Sequence, residues 1–258
     1  MSLFSSIQLA GNSLQANQIG LQVVGQNIAN ANTPGYIREE VTLTPAPTQA
    51  QGGLLLGSGV QVDGVVQQID NLLESRLRAA QGDSASGATQ QNTYKQLEGI
   101  LGELGANGLN TTLTGFVSSI NDVLNQPENA SVRSLAVLKG KGLTDTINQL
   151  ATKIDAARIT LNKQVIGSAD DVNRLATKVA NLNLSIVQAE GGKLSHSDAV
   201  GLRDQRNAAL TELAKLIDIH TDEQPTGAVN VYVGGDYLVN DGQSRGVKAV
   251  STNDRGLS

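Results

Sequence analysis

Cysteine and tryptophan are absent from this 258-residue chain, and it holds only two Phe and four Tyr. Without Cys there is no disulfide, no thiolate metal site and no Cys nucleophile. With so few aromatics, any core must be built from Leu, Ile, Val and Ala, which suits long helices seated side by side better than a large globular core. Basic clusters are missing too. A net charge of −5 and a pI near 5.0 argue against a nucleic-acid surface, because neutralising phosphates takes grouped Lys and Arg. No run approaches the roughly 18 consecutive apolar residues of a membrane span. The N-terminus lacks the basic start and unbroken apolar stretch of a cleaved secretory signal, so export, if it occurs, takes another route. The most localised absence is that residues 1–37 contain no Lys, Arg, Asp or Glu.

Through that uncharged stretch, apolar side chains recur at alternating spacings of three and four: Leu3, Ile7, Ala10, Leu14, Asn17, Leu21, Val24, Ile28 and Ala31. This is a heptad seam of the kind that seats one helix against another, and a polar Asn17 within it weakens association while fixing register. Flanked by Ser, Asn and Gln, such a helix has no salt bridges of its own and is expected to pack against partners. It should run from about Ser2 to Asn30 and stop before Pro34, because the residue preceding a proline is pushed out of the helical region. Pro34-Gly35 then fits the centre of a type II turn, with Pro supplying the fixed φ and Gly the positive one.

From Tyr36 the period changes. Ile37, Val41 and Leu43 alternate with polar residues, as in a half-buried strand. Pro45 and Pro47 end it, Gln49 to Gly59 reads as a flexible loop, and a second short strand is expected at Val60 to Val66. Helical spacing returns at Ile69, Leu72, Leu73 and Leu77, weakens from Gly82 to Gly87, and resumes at Tyr94, Leu97, Leu101 and Leu104. A third helix is expected over Thr111–Asn125, with Leu113, Phe116, Val117, Ile120 and Leu124 as its inner face. A fourth carries two heptads, Leu143 to Leu161 and Val172 to Ala189, separated by a break near Gly167-Ser168 and ended by Gly191-Gly192. Ser195 to Asp198 has capping-box spacing ahead of a fifth helix, Asp198–Leu216. Beyond Asp218 the alternation of Val229, Val231 and Val233, with Gly234-Gly235 and the return at Tyr237, reads as a hairpin. Two strands alone are marginal in water, so this hairpin is expected to open a further domain.

The fold class expected is therefore mainly α. An N-terminal coiled-coil assembly helix (1–33) is followed by an extended β linker (34–67), a long-helix bundle (68–217) and the start of a truncated β domain (218–258). Candidate chemistry is thin. His196 and His220 lack metal-ligand spacing. Asp170 and Asp171 are adjacent helical residues pointing about 100° apart, without a flanking catalytic group. Gly57, Gly59 and Gly64 lack the strand-then-helix context of a phosphate loop. Arg203, Asp204 and Arg206 fall within one helical turn; the expectation is that Leu202, Ala209, Leu210, Leu213 and Leu216 face inward while these charges are solvated or pair with the neighbouring helix, at about 0–1 kcal/mol per exposed pair. No catalytic, cofactor or metal residue is assigned.

The run Asn27-Ile28-Ala29-Asn30-Ala31-Asn32-Thr33-Pro34-Gly35-Tyr36, at the end of a heptad helix, resembles the N-terminal motif of bacterial flagellar rod, hook and hook-associated proteins. Gly57-Ser58-Gly59-Val60, with Val65-Val66 and Asp70 downstream, and Leu202-Arg203-Asp204-Gln205-Arg206 ahead of Leu210, narrow the resemblance to the hook-associated branch. What it implies is a structural subunit rather than an enzyme, at the junction of hook and filament, outside the cell. The implied assembly interface is Leu3, Ile7, Leu14, Asn17, Leu21, Val24 and Ile28. The implied motif turn is Asn27, Asn30, Thr33, Pro34, Gly35 and Tyr36. The implied partners are copies of itself, the hook protein, the third hook-associated protein, the flagellar type III export apparatus and an export chaperone, whose site belongs to a more C-terminal region; no cofactor is implied. Two rivals are another flagellar axial protein and a coiled-coil signalling module of the chemoreceptor type. The latter would need a membrane span or a methylatable Glu/Gln repeat, and neither is visible. A wall-cleaving flagellar enzyme would need paired carboxylates in a cleft, whereas the acidic residues here are scattered along helix faces.

Overall fold

The computed structural model describes residues 3–33, 35–51, 53–101, 108–191 and 199–250. The protein is mainly α-helical with short strands, as its periodicity predicts. Helix α1 (Leu3–Ala29) leads into strands β1 (Glu39–Pro45), β2 (Gln49–Gln51), β3 (Leu54–Leu56) and β4 (Val60–Gln67). Helices α2 (Asn71–Leu101), α3 (Leu109–Asn125), α4 (Ala130–Glu190) and α5 (Val200–Ala214) follow. Strands β5 (His220–Glu223), β6 (Val229–Val233), β7 (Asp236–Asn240) and β8 (Gln243–Ser244) close the described chain. The antiparallel pairs β1–β4 and β2–β3 make one long hairpin, and β5-β6-β7-β8 form a four-stranded antiparallel sheet.

Helix starts follow from short polar side chains. Asp70 Oδ1 accepts the N–H groups of Leu72 and Leu73, both at 3.0 Å, and Asn129 Oδ1 accepts those of Ser131 and Val132 at 3.0 and 3.4 Å. Each satisfies donors that a helix N-terminus leaves open. At the far end of α4, Gly191 takes φ +60°, the left-handed stop that glycine adopts without a side-chain clash.

The chain divides into two compact units. The first comprises Met1–Ser84 and Ala169–Lys248 and holds the main core. There the second heptad of α4 (Val172, Leu175, Val179) packs with Ala209, Leu210 and Leu213 of α5 and with Val229, Val231, Leu238 and Val239 of the sheet. Gly82 permits α2 to approach the end of α5, since a Cβ there would lie 2.7 Å from the Ala214 carbonyl oxygen. The second unit takes Ala85–Ser168 with Ala249–Ser258. Its buried side chains include Ser119 and Ala136, and Gly140 gives room to the Phe116 ring, 3.0 Å from where a Cβ would stand.

Four expectations are corrected. Helix α4 runs unbroken through Gly167-Ser168 and starts thirteen residues ahead of Leu143, at Ala130; one glycine costs a helix about 1 kcal/mol, which the flanking turns absorb. The stretch from Gln49 to Gly59 is not all loop, because Gln49–Gln51 pairs with Leu54–Leu56. The C-terminal hairpin does have a sheet to join: β5-β6-β7-β8, whose Val229, Val231, Leu238 and Val239 pack on the α4–α5 core. Of the expected inner face of α3, Leu113, Val117, Ile120 and Leu124 are exposed. The capping box at 195–198, His196 and Leu104 lie outside the described residues.

Candidate assembly site

Helix α1 has two faces, and the hairpin covers only one of them. Ala16 and Val23 are buried, with Asn12, Ile19 and Asn27 half-buried on the same side. This second stripe, spaced at three to four residues, lies on β1 and β4. Gly59 makes the seat, because at φ +90° a Cβ there would come within 2.8 Å of Leu9 Cδ1. Beside it, Asn12 Nδ2 donates to the Ser58 carbonyl at 3.1 Å. The Gly57-Ser58-Gly59-Val60 stretch is thus the bed on which α1 rests. The heptad seam is on the open side: Ile7, Leu14, Leu21, Val24 and Ile28 are 62, 70, 74, 52 and 72% exposed. Ala10 and Asn17 are exposed with them. The side chain of Leu3 lies outside the described residues.

The motif turn ties the end of α1 to the hairpin. Asn27 is its hub. Its Nδ2 donates to the Glu39 carbonyl at 2.9 Å, while its Oδ1 accepts the Glu39 N–H and the Tyr36 hydroxyl, both at 2.9 Å. The amide side chain pairs with Glu39 as a neighbouring strand would. Asn30 Nδ2 donates back to the Gln26 carbonyl at 3.1 Å, and its Oδ1 accepts the Thr33 hydroxyl at 3.2 Å. The Tyr36 N–H closes on the Thr33 carbonyl at 3.2 Å, across Gly35 at φ +81°, as the expected type II turn requires. Pro34 lies outside the described residues.

Acidic groups gather beneath the turn. Burial raises the Glu39 carboxyl above its ordinary range. The Tyr36 hydroxyl is raised by burial and by the charges of Glu39 and Asp204. Asp204 of α5 is pushed up to about 6, chiefly by burial and further by Glu39, against the pull of hydrogen bonds from the Ile37 N–H and Gln67.

The charges of α5 bear out pairing with the neighbouring helix, since Glu190 ends α4, and correct the solvated alternative. Arg203 and Arg206 are buried rather than solvated. Arg203 grips Glu190 through two hydrogen bonds of 2.8 and 2.9 Å and meets Glu223 at 2.5 Å. Arg206 reaches Glu223 at 3.3 Å, the Gly227 carbonyl at 2.5 Å and Asn183 Oδ1 at 3.2 Å. Burial opposes the Arg203 charge, but the Glu190 and Glu223 bonds outweigh it and raise its pKa; burial lowers Arg206 to about 10. A buried pair of this kind fixes geometry more than it adds stability. Here it locks the end of α4, α5 and β5 together. The inward apolar residues also differ from expectation, since Ala209, Leu210 and Leu213 are buried but Leu216 is 42% exposed.

Sequence reasoning missed the asparagines that bond to backbone. Fully buried Asn183 donates to the carbonyls of Val229 and Asp241 and accepts the Val229 N–H. Asn173 pairs both ways with Val247. Their signal was an Asn placed among the apolar positions of the α4 heptad; Asn27 gave no such signal, because it lies off the heptad seam of α1. Among the described residues no group of three or more His, Asp or Glu could hold a metal ion, and no helix is long and apolar enough to cross a membrane.

Comparison with known proteins places this geometry. Residues 94–258 match the model of the flagellar hook-associated protein FlgK helical domain, and residues 7–36 match that of the flagella basal body rod protein. The chain is 30% identical over 253 residues to flagellar hook-associated protein 1 of Salmonella typhimurium, covering 95% of this chain and 44% of the relative. It is 29% identical over 233 residues to the protein of that name from Bacillus subtilis, covering 88% and 45%. It thus spans a little under half the length of these curated relatives. Among solved structures, the flagellar hook junction protein FlgK from Burkholderia pseudomallei shares the fold, with a TM-score of 0.61, 22% identity and coverage of 71% of this chain and 32% of that one. With its helical domain matched over more than half its length, the chain belongs to the FlgK family of flagellar hook-associated proteins.

Proposed function

We propose that this chain works mechanically, as a structural part of the junction between flagellar hook and filament, with α1 as its assembly element. One observation carries the proposal. An uncharged helix buries one face on its own hairpin and leaves its heptad seam from Ile7 to Ile28 uncovered. Each Leu or Ile of that seam would contribute about 1.5–3 kcal/mol on full burial. A stripe of four such side chains, with Asn17 to set register, is suited to packing with copies of itself and with other terminal helices of the assembled structure. The helical body would then stand in the next shell outward. The resemblance supports the hook protein and the third hook-associated protein as neighbours. It also supports passage through the type III exporter without signal cleavage, and a chaperone that binds beyond this region. The names of the relatives point to structural rather than catalytic work.

The test is Leu14→Glu and Leu21→Glu in the full-length protein. A carboxylate forced into a packed, dry interface costs several kcal/mol, whereas both positions are open in the unassembled chain. The expected result is normal helical content and melting with loss of firmly attached filaments. Attached filaments in both variants would overturn the assignment of α1.

A further inference from the structure

The terminal helix and hairpin need an anchor if a load on the seam is to reach the body. One continuous line of contacts supplies it. Asn27 clasps Glu39, Glu39 lies opposite Gln67 in the β1–β4 ladder, and Gln67 Nε2 donates to Asp204 Oδ1 of α5 at 2.6 Å and to the Val200 carbonyl at 3.3 Å. The Ile37 N–H donates to the same carboxylate. We infer that Asp204 is a positioning residue, a latch on α5 that receives β4 and the segment leading into β1 and fixes the terminal helix to the body. The inference deepens the reading of α1 as assembly element and takes its purpose from it, but it is tested in the unassembled protein, so the two stand or fall separately.

The chemistry is unusual for a surface joint. Asp204 draws on no cation: no ion pair among the described residues includes it or Glu39. On its own helix Arg203 and Arg206 are committed to Glu190 and Glu223. From the turn and β1 it faces Tyr36 and Glu39, and Arg38 and Glu40 beside them are exposed. From β4 it meets neutral Gln67. Burial and the neighbouring Glu39 disfavour the charge on Asp204 more than the Ile37 N–H and the Gln67 amide stabilise it, so the docked carboxyl holds a proton more readily than a solvated one. Because burial pushes Asp204 up to about 6 from an ordinary 3.8, the docked state takes up a proton that the undocked state releases. Docking therefore strengthens as pH falls from about 6 towards 3.8, and above about 6, where both states have lost the proton, it changes no further.

Hydrogen exchange of the protein at pH 5 and pH 7.5, corrected for the intrinsic rate, reads this directly, with amides of residues 172–186 as the internal reference. Amides of β1 and β4 should be better protected at pH 5, with the reference unchanged. Asp204→Asn, which keeps an acceptor but cannot ionise, should remove most of that pH dependence, and Glu39→Gln added to it the remainder. Asp204→Leu leaves donors unmet and should lower hairpin protection about tenfold at both pH values. Should Asp204→Leu lower the reference as well, Gln67→Leu becomes the deciding variant, and it too should loosen β1 and β4 alone. Unchanged hairpin protection in Asp204→Leu or in a deciding Gln67→Leu, or a full wild-type pH dependence in Asp204→Asn, would overturn the latch.

Discussion

Two heptads in this chain meet opposite fates. In α4, Val172, Leu175, Val179 and Ile186 are between 0 and 7% exposed, closed in by α5 and the four-stranded sheet. In α1, Ile7, Leu14, Leu21 and Ile28 are between 62 and 74% exposed, although their spacing is as regular and their side chains are as large. What separates them is the remainder of each helix surface. The outer face of α4 carries Asp170, Asp171, Arg174 and Lys178, and Arg174 pairs with Asp171 at 2.9 Å in the open. That face is made for water. Helix α1 has no charge at all and spends its small residues Ala16 and Val23 on the hairpin. In α4 the apolar stripe is buried and the charges are solvated; in α1 the apolar stripe is open and the rest of the surface carries amides and hydroxyls, the difference on which the proposed assembly role rests.

Truncation is the strongest way to break that contrast. Leu213 is fully buried, and Leu213→Ala should cost about 2–5 kcal/mol of folding stability through lost transfer energy and the cavity left behind. Leu21→Ala, at an open position, should stay within about 0.5 kcal/mol. Urea unfolding of the two variants beside the parent protein checks both figures. Equal losses would mean that α1 is part of the monomer's core, and the distinction drawn above would fail.

Much of this layout was legible beforehand, and the exceptions share a cause. Periodicity located all five helices, and turn chemistry located the turn at Gly35 and the hairpin at Gly234-Gly235, whose glycines take φ +81°, +57° and +94°. Periodicity could not tell which stripe of α1 meets the hairpin, because the covered face is built from Ala16, Val23 and Asn12, too small and polar to register as apolar. Nor could it separate a solvated Arg from a buried one. Arg203 and Arg206 are held by Glu190 and Glu223, which lie 13 to 20 residues away in sequence, and local spacing carries no such information. The unbroken α4 was misread for the opposite reason, since Gly167-Ser168 is a genuine local weakness that a 61-residue helix overrides.

A smaller and more local effect is expected at the clasp. Asn27→Ala leaves the Glu39 N–H and C=O and the Tyr36 hydroxyl without their shared partner, at about 1–3 kcal/mol. That loss should fall on the hairpin rather than on the whole fold. Exchange protection around residues 36–41 should drop while residues 172–186 keep theirs. If Asn27→Ala instead shifts the global unfolding midpoint as far as Leu213→Ala does, the turn belongs to the core and is not a separate joint.

The smallest effect sharpens the comparison most, because it isolates charge from size. Gln15 and Gln22 sit next to the seam on α1, and both are exposed. Replacing either with Glu alters no buried contact in the unassembled chain and should leave stability within about 0.5 kcal/mol. It would, however, give α1 the one feature that marks the outer face of α4. At the border of a packed interface a carboxylate can still reach water, so its penalty is a fraction of that for Leu14→Glu. Filament attachment should therefore weaken in these variants without being lost, and weaken more in a double variant that places two carboxylates on every copy around the assembly. Wild-type attachment in Gln15→Glu/Gln22→Glu would show that the missing charges are incidental and that the exposed leucines alone direct this helix to its partners.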